Sequence, residues 1–315
     1  MKYIESFREG DNINDIYLVK SKKSDVTKTG KPYDKVVLQD KTGSIDAMIW
    51  DPNSPGIDDF DVLDYILING SVNVFMNSNQ LSIRRVRKAS KGEYNPADYL
   101  PVSSRNIEEM YTELTAYIDN INSSHLKALL KSFFIEDEEF IKAFKKSSAA
   151  KTVHHGFMGG LLEHTLSVTN MCNFYCTSYS MLRRDLLISV AMLHDIAKIY
   201  ELSEFPLNDY TDEGQLLGHI VMGSEMVGEH IREIDGFPKV LASEVKHCIL
   251  AHHGEYEFGS PKKPALMEAV ALHFADNTDA KMETMKELFA STTETGWLGF
   301  NRMLDTNVRR TSTEE

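Results

Sequence analysis

Ten of the eleven histidines in this 315-residue chain fall between His154 and His273. In chain order, the residues there that could do chemistry are His164, the pair His194-Asp195, His219, the pair His252-His253, and Asp276. Imidazole nitrogens mixed with carboxylate oxygens are ligands for divalent cations. The mixture suits Mn, Co, Fe or Zn better than Mg, which prefers oxygen and keeps its waters. Four histidines and two aspartates are enough donors for two such ions. Two ions roughly 3.5–4 Å apart, bridged by one carboxylate, hydrolyse phosphodiesters by activating a water and neutralising charge on the phosphoryl oxygens. Lys198 lies at i+4 from His194 and i+3 from Asp195, so on a helix it shares their face. It could hold a phosphate oxygen in the transition state.

Ligands so far apart in sequence can meet only if each is presented to a common centre by its own helix. The sequence supplies such helices. His194-Asp195 closes the apolar run LLISVAMLHDIAK, and Ile107, Met110, Leu114, Tyr117, Ile118 and Ile121 recur at three- and four-residue steps. Further helices are predicted over 124–134, 136–146, 159–175, 182–200, 214–234, 240–252 and 265–289. The first ninety residues alternate instead, with strands predicted at 15–19, 35–39, 44–50, 65–75 and 80–86 between Gly, Pro and Asn turns. A short helix-like insert is read at 56–63. Five short strands with an insert after the third make the arrangement of an OB-fold, a small Greek-key barrel. The expected architecture is therefore multi-domain, an all-β OB-fold barrel followed by an all-α domain. The barrel takes residues 1–92, a linker and helical connection 93–148, the histidine-rich helical domain 149–290, and a C-terminal tail 291–315.

Charge divides the chain in the same way. The formal net charge is −13, yet residues 1–98 hold 14 Lys and Arg against 15 Asp and Glu, so almost all of the excess acid lies in the helical part. No apolar run approaches the roughly 20 residues of a membrane span. The N-terminus has no apolar core of the kind a secretory signal carries. Three cysteines make no disulfide framework. These features predict a cytoplasmic protein with no membrane partner.

The order of an early His, a His-Asp pair, further histidines and a late Asp, with Lys198 trailing the pair, resembles the HD-domain metal-dependent phosphohydrolases over about residues 150–280. With an OB-fold ahead of it, the chain is similar to the YhaM-type 3′–5′ exoribonucleases. The similarity runs through residues 159–168 (GGLLEHTLSV), His252-His253-Gly254 and Ala275-Asp276-Asn277. This resemblance implies an exonuclease that shortens single-stranded RNA, and also single-stranded DNA, from the 3′ end. A metal-activated hydroxide would release nucleoside 5′-monophosphates. Two alternatives stand beside it. One is an HD-type cyclic nucleotide or dinucleotide phosphodiesterase, although the stretch 254–261 (GEYEFGSP) lacks the Gly-Tyr-Pro signature such enzymes carry. The other is a non-catalytic factor that binds single-stranded nucleic acid.

The ligands are assigned as follows. His164, His194 and Asp276 take one ion, His219 and His252 take the other, and Asp195 bridges. Spacing does not choose between His252 and His253. His154 and His155 are candidates for substrate phosphate or for a supporting contact behind the ligands. His230 and His247 read as ordinary helix residues, and His273 as packing. On the barrel, Arg84, Arg85, Arg87 and Lys88 make a basic run with which stacked bases could be held. Tyr33, at a Gly-Pro turn among lysines, is the best stacking candidate, whereas Trp50 and Phe75 read more readily as core. The apolar stripe 107–121 and the segment 297–304 are candidates for a homo-oligomer contact.

Overall fold

A computed structural model describes residues 1–312 apart from 28, 76–77, 101, 152–154 and 291. Strands β1 (Asn12–Val26), β2 (Pro32–Asp40), β3 (Gly43–Ile49), β4 (Tyr65–Phe75) and β5 (Ser78–Lys88) close into a barrel in the order β1-β2-β3-β5-β4. All pairs are antiparallel except β3 with β5. Period-two alternation sends one side chain in two inward. The pairs Val36↔Ala47 and Leu38↔Ile45 therefore face the same core as Ile66, Ile68, Val72 and Leu81. The β2–β3 turn is fixed by buried Asp40, whose Oδ1 accepts from the Thr42 and Gly43 amides and whose Oδ2 accepts from Ile4 N at 2.7 Å.

Residues 56–63 form turns and not the expected helix; Gly56 has φ 98° and Ile57 makes a single bridge to Val86. The segment carries Phe60 into the barrel core, with Ile57 packed beside it. Gly56 and Leu63, the latter at φ 72°, both stand at positive φ, which ends any helix at either side of the segment.

The chain divides into two compact units, Met1–Val102 with Phe205–Leu207, and Ser103–Glu204 with Asn208–Glu315. The first unit thus runs past the expected boundary at 92. Tyr94 stacks on Tyr65 with ring centroids 3.8 Å apart, and Tyr99 meets Tyr65 edge-on at 5.0 Å. This aromatic triad holds the segment read as linker onto the barrel.

The second unit is helical, as its periodicity predicts. Its helices are α1 (Ile107–Asp119), α2 (Ser124–Phe134), α3 (Glu138–Lys146), α4 (Gly160–Ser178), α5 (Arg184–Leu193), α6 (Lys198–Glu201), α7 (Asp212–Glu233), α8 (Lys239–Ala251) and α9 (Met267–Ala290). Every residue of α5 from Leu186 to Leu193 is buried, so this helix sits at the centre of the unit's core. The single helix expected over 182–200 ends at Leu193, because the chain tightens there into i→i+3 bonds, Ile196 N to Leu193 O and Lys198 N to Asp195 O. That turn carries His194 and Asp195. No described helix is long and apolar enough to cross a membrane. The segment read as a C-terminal tail contains a hairpin, β6 (Trp297–Asn301) with β7 (Thr306–Arg309), held by buried Val308 and by Arg310 donating to Phe289 O and Thr292 O.

Candidate metal centre

Local backbone geometry delivers each ring. His164 stands in the second turn of α4, whose start is set by Gly159 and Gly160. A Cβ on Gly160 would lie 2.0 Å from the His155 carbonyl oxygen, so this close approach requires glycine. His194 and His252 repeat one device. Each directly follows a helix that ends on a buried residue, Leu193 or Ala251, and donates Nδ1–H to the carbonyl three residues back, Ala191 O at 2.8 Å and Ile249 O at 2.6 Å. His219 depends on a break. Gly218, at φ 73° and ψ 153°, interrupts α7 and frees the His219 backbone N–H to reach Glu201 Oε1 at 2.9 Å, while the ring Nδ1 reaches the same oxygen at 2.8 Å. His253 donates Nδ1–H to Phe258 O at 2.8 Å. His164 Nδ1 contacts Asp279 Oδ2 at 2.7 Å.

All five rings therefore commit Nδ1 outward, which leaves Nε2 as the inward lone pair. Four of these Nε2 atoms, all but that of His253, converge on Asp195, which is 2% exposed. Its Oδ2 lies 3.4 Å from both His164 Nε2 and His194 Nε2, and its Oδ1 lies 3.3 Å from His219 Nε2 and 3.5 Å from His252 Nε2. Asp276 Oδ1 is 3.3 Å from His164 Nε2. Two nests result, His164 with His194 and Asp276, and His219 with His252 and His253. Within each, the donor atoms lie within 4.8 Å of one another.

This donor set fits divalent cations. Asp195 Oδ1 and the Nε2 atoms of His219 and His252 are buried without a hydrogen-bond partner among the described residues. Orphaned acceptors facing one another in a desolvated space repel unless a cation lies between them. The electrostatics say the same. Burial disfavours charge on His164, yet Asp195, Asp276 and Asp279 more than offset it and raise its pKa well above the ordinary value. Burial carries His194, 3.2 Å away, down to about 4, and His253 down to about 3. Asp195 and Asp276 are held far below the carboxylate range, against burial, by Lys198 and the imidazoles. Asp195 raises the pKa of His252 against burial in the same way, so each nest favours a cation, which a metal ion would supply in place of a proton.

Lys198 Nζ lies 2.7 Å from Asp195 Oδ2 and lines an open cleft with His164, His253, Phe258 and Asp276. Of the two places expected for His155, substrate phosphate or a supporting contact behind the ligands, the structure shows the second, buried behind His164. His155 is 2% exposed, with Nε2 2.9 Å from Asp279 Oδ2, because the tight packing on Gly160 draws it inward. His154 lies outside the described residues. His230 stacks on Phe133, His247 accepts from Ala265 N, and His273 donates to His252 O, three contacts that are structural.

Asp279 and Glu201, the supporting acids, were not singled out from sequence. Each sits one turn beyond a chosen residue, Asp276 and Lys198 respectively. That spacing was the only signal, and an ordinary surface acid would give it too. Ser167 Oγ adds a bond to Asp279 Oδ1.

On the barrel, Tyr33 and Trp50 pair with ring centroids 5.9 Å apart. Trp50 and Phe75, expected in the core, are 55% and 57% exposed. Both stand just past the last inward position of their strands, where the barrel wall ends. Register continues from Asp34↔Ile49 and Ile49↔Ile83 to bring Tyr33, Trp50 and Arg84 to one level on neighbouring strands. Arg87 is bound by Glu93 through two bonds of 2.9 and 3.0 Å, and Lys88 pairs with Asp64 at 2.7 Å. Arg84 and Arg85 have no carboxylate within 4.0 Å among the described residues.

A family model described as HD domain matches residues 161–281. The chain is similar to the curated protein "3'-5' exoribonuclease YhaM" of Bacillus velezensis, 34% identical over 88% of this chain and 87% of that one. The protein of the same description from Bacillus subtilis gives 34% identity over 88% and 87%, and that of Listeria monocytogenes 32% over 92% of each chain. Among solved structures, the second OB-fold domain of replication protein A from Methanococcus maripaludis matches 29% of this chain and 96% of its own, at 19% identity and a TM-score of 0.24.

Proposed function

Because the chain belongs to the YhaM family of 3′–5′ exoribonucleases, we propose that it removes nucleoside 5′-monophosphates one at a time from the 3′ end of single-stranded RNA, and of single-stranded DNA. Two divalent ions, manganese foremost, would be held by His164, His194 and Asp276 on one side and by His219 and His252, with His253 beside them, on the other. Asp195 would be shared. The observation that carries this reading is the position of Asp195, a fully desolvated carboxylate whose two oxygens face different sets of imidazole nitrogens. When bound, the ions supply a nucleophilic water at neutral pH and positive charge against the phosphoryl oxygens.

The chain's own residues do the rest. The outward Nδ1 bonds fix the rings before any ion arrives, so little reorganisation remains on binding. Lys198, kept protonated by Asp195 against burial, offers Nζ at the cleft to a non-bridging phosphate oxygen. Hydrolysis breaks the bond between phosphorus and the 3′-oxygen of the preceding nucleotide. The terminal nucleotide leaves with its 5′-phosphate, and the shortened strand ends in a 3′-hydroxyl. The barrel unit is close to charge balance and carries Tyr33, Trp50, Arg84 and Arg85 on its surface, so it is the part of the chain suited to hold a polyanion.

A 5′-labelled single-stranded RNA incubated with Mn²⁺, with and without EDTA, tests the reading. The expected result is a ladder shortening from the 3′ end that EDTA abolishes. Asp195→Ala and His194→Ala should remove the ladder while RNA binding persists. An RNA left intact by wild-type protein with Mn²⁺ would sink the proposal.

A further inference from the structure

Phe258 puts an apolar ring into water beside the metal centre, where the fold has no use for it. It belongs to the single turn Tyr256–Phe258 between α8 and α9, is 60% exposed, and lines the cleft with Lys198, His253 and Asp276. The turn is anchored. Phe258 N donates to Glu255 O at 3.1 Å, and buried Ser260 shares its hydroxyl proton between Leu250 O at 3.0 Å and Lys262 O at 2.7 Å. The Phe258 carbonyl accepts from Nδ1 of His253 at 2.8 Å, so the backbone that carries the ring is bonded directly to one of the inward-facing histidines.

The neighbouring exposed aromatic differs. Tyr256 has Lys263 Nζ 5.6 Å from its ring centroid and is not among the residues lining the cleft. Phe258 has neither a ring partner nor a cation over it among the described residues. An exposed, fixed and unpartnered phenyl face beside a lysine and a metal centre offers what the base of a nucleotide needs once its phosphate has entered. Stacking on an aromatic ring is sequence-tolerant, because every base has a π-face.

We propose that Phe258 is the stacking platform for the 3′-terminal base. It makes removal of the terminal nucleotide depend on the presence of a base while leaving the identity of that base nearly irrelevant. The proposal rests on the exonuclease reading given above and adds to it the part of the substrate that the cleft recognises.

The test compares two 5′-labelled RNAs with Mn²⁺, identical except that one ends in an ordinary nucleotide and the other in an abasic ribose. Wild-type protein should remove the base-bearing terminus with a KM about tenfold lower, the size expected of one base–aromatic stack. Phe258→Ala should lose that preference by weakening on the base-bearing end alone, and Phe258→Trp should keep it. Binding of an RNA ending in 2-aminopurine, followed by its fluorescence in EDTA, gives a second readout without turnover. Emission should respond to wild-type protein and the Trp variant, and not to the Ala variant. A Phe258→Ala protein that retains the preference, or a wild-type protein that shows none, overturns the proposal. Absence of any shortening of either RNA by wild-type protein would instead overturn the nuclease reading, and this proposal with it.

Discussion

Asp279 Oδ2 lies 2.7 Å from Nδ1 of His164, on the side of the ring turned away from the metal centre. The same oxygen is 2.9 Å from His155 Nε2, so one carboxylate from α9 orients two rings and keeps His164 Nε2 pointed at Asp195. Removing a carboxylate behind a metal-binding histidine typically costs about 10–100-fold in metal affinity. Asp279→Ala should therefore weaken binding of one ion by about that factor, because His164 belongs to only one of the two nests. Titration calorimetry with Mn²⁺ should resolve one weakened site and one nearly unchanged site. Equal weakening of both would contradict the division of ligands.

Glu201 plays the matching part for His219, accepting from its backbone N–H and contacting its ring Nδ1. Glu201→Ala should weaken the other ion, again by about 10–100-fold. Gly218 supports this arrangement through φ 73° and ψ 153°, a backbone region essentially closed to other residues and costing about 1–3 kcal/mol when they are forced into it. Gly218→Ala should lower the thermal midpoint and loosen the same ion. Thermal melts with and without Mn²⁺ separate these effects, since a purely structural loss would leave the Mn²⁺-induced increment in the midpoint unchanged.

The pattern of His164, His194-Asp195, His219, His252-His253 and Asp276 could be read because histidine is scarce in this chain, the two aspartates stand in order with the histidines, and several of these residues sit against apolar helix runs whose burial is itself readable. The carboxylates behind the rings could not. Asp279 and Glu201 have the composition of any helix-surface acid, and only the packing of α9 and the break at Gly218 bring them inward. For His155 the two roles, substrate contact or support behind the ligands, stayed open in sequence, since the close packing of its carbonyl on Gly160 is invisible without coordinates. In the barrel, strand alternation fixed the core, and it also places Trp50 outside it. Ile45, Ala47 and Ile49 face inward, so Trp50 falls on the outward face with Asp46 and Met48, where its aromatic character alone suggests burial. Residues 56–63 were misread as helical because Ile57 and Phe60, three apart as on a helix face, reach the barrel core from a turn instead.

His230 provides a pH marker remote from the metal centre. Its Nδ1 is 2.7 Å from Ser132 Oγ, and its ring stacks on Phe133 at 3.8 Å. Burial lowers its pKa below the ordinary value, with Glu233, Asp137 and Glu229 opposing more weakly. The unfolded chain therefore takes up the proton first. This contribution to stability is complete above about pH 6.5, the unperturbed value, and is lost as pH falls through and below it. Thermal melts between neutral and mildly acidic pH should show wild-type protein losing stability faster than His230→Phe. Parallel pH profiles would mean that the ring is not desolvated when neutral.

The basic run on β5 should divide into two classes in RNA binding. Arg87 and Lys88 are already neutralised by Glu93 and Asp64, whereas Arg84 and Arg85 are exposed without a carboxylate partner among the described residues, Arg84 level with Tyr33 and Trp50. Each cation that neutralises a phosphate of a single strand adds about 0.7 to the slope of log affinity against log salt. The double change Arg84→Ala with Arg85→Ala should reduce that slope by about 1.4 if both side chains touch phosphate. Arg87→Ala with Lys88→Ala should reduce it by less, because the freed Glu93 and Asp64 are the larger change. Fluorescence anisotropy of a labelled single-stranded RNA across a salt series, in EDTA to prevent turnover, measures both slopes. Trp50→Ala should weaken affinity at every salt concentration without altering the slope, since stacking releases no counterions. A wild-type slope in the Arg84 and Arg85 double variant would place the strand on a different face of the barrel.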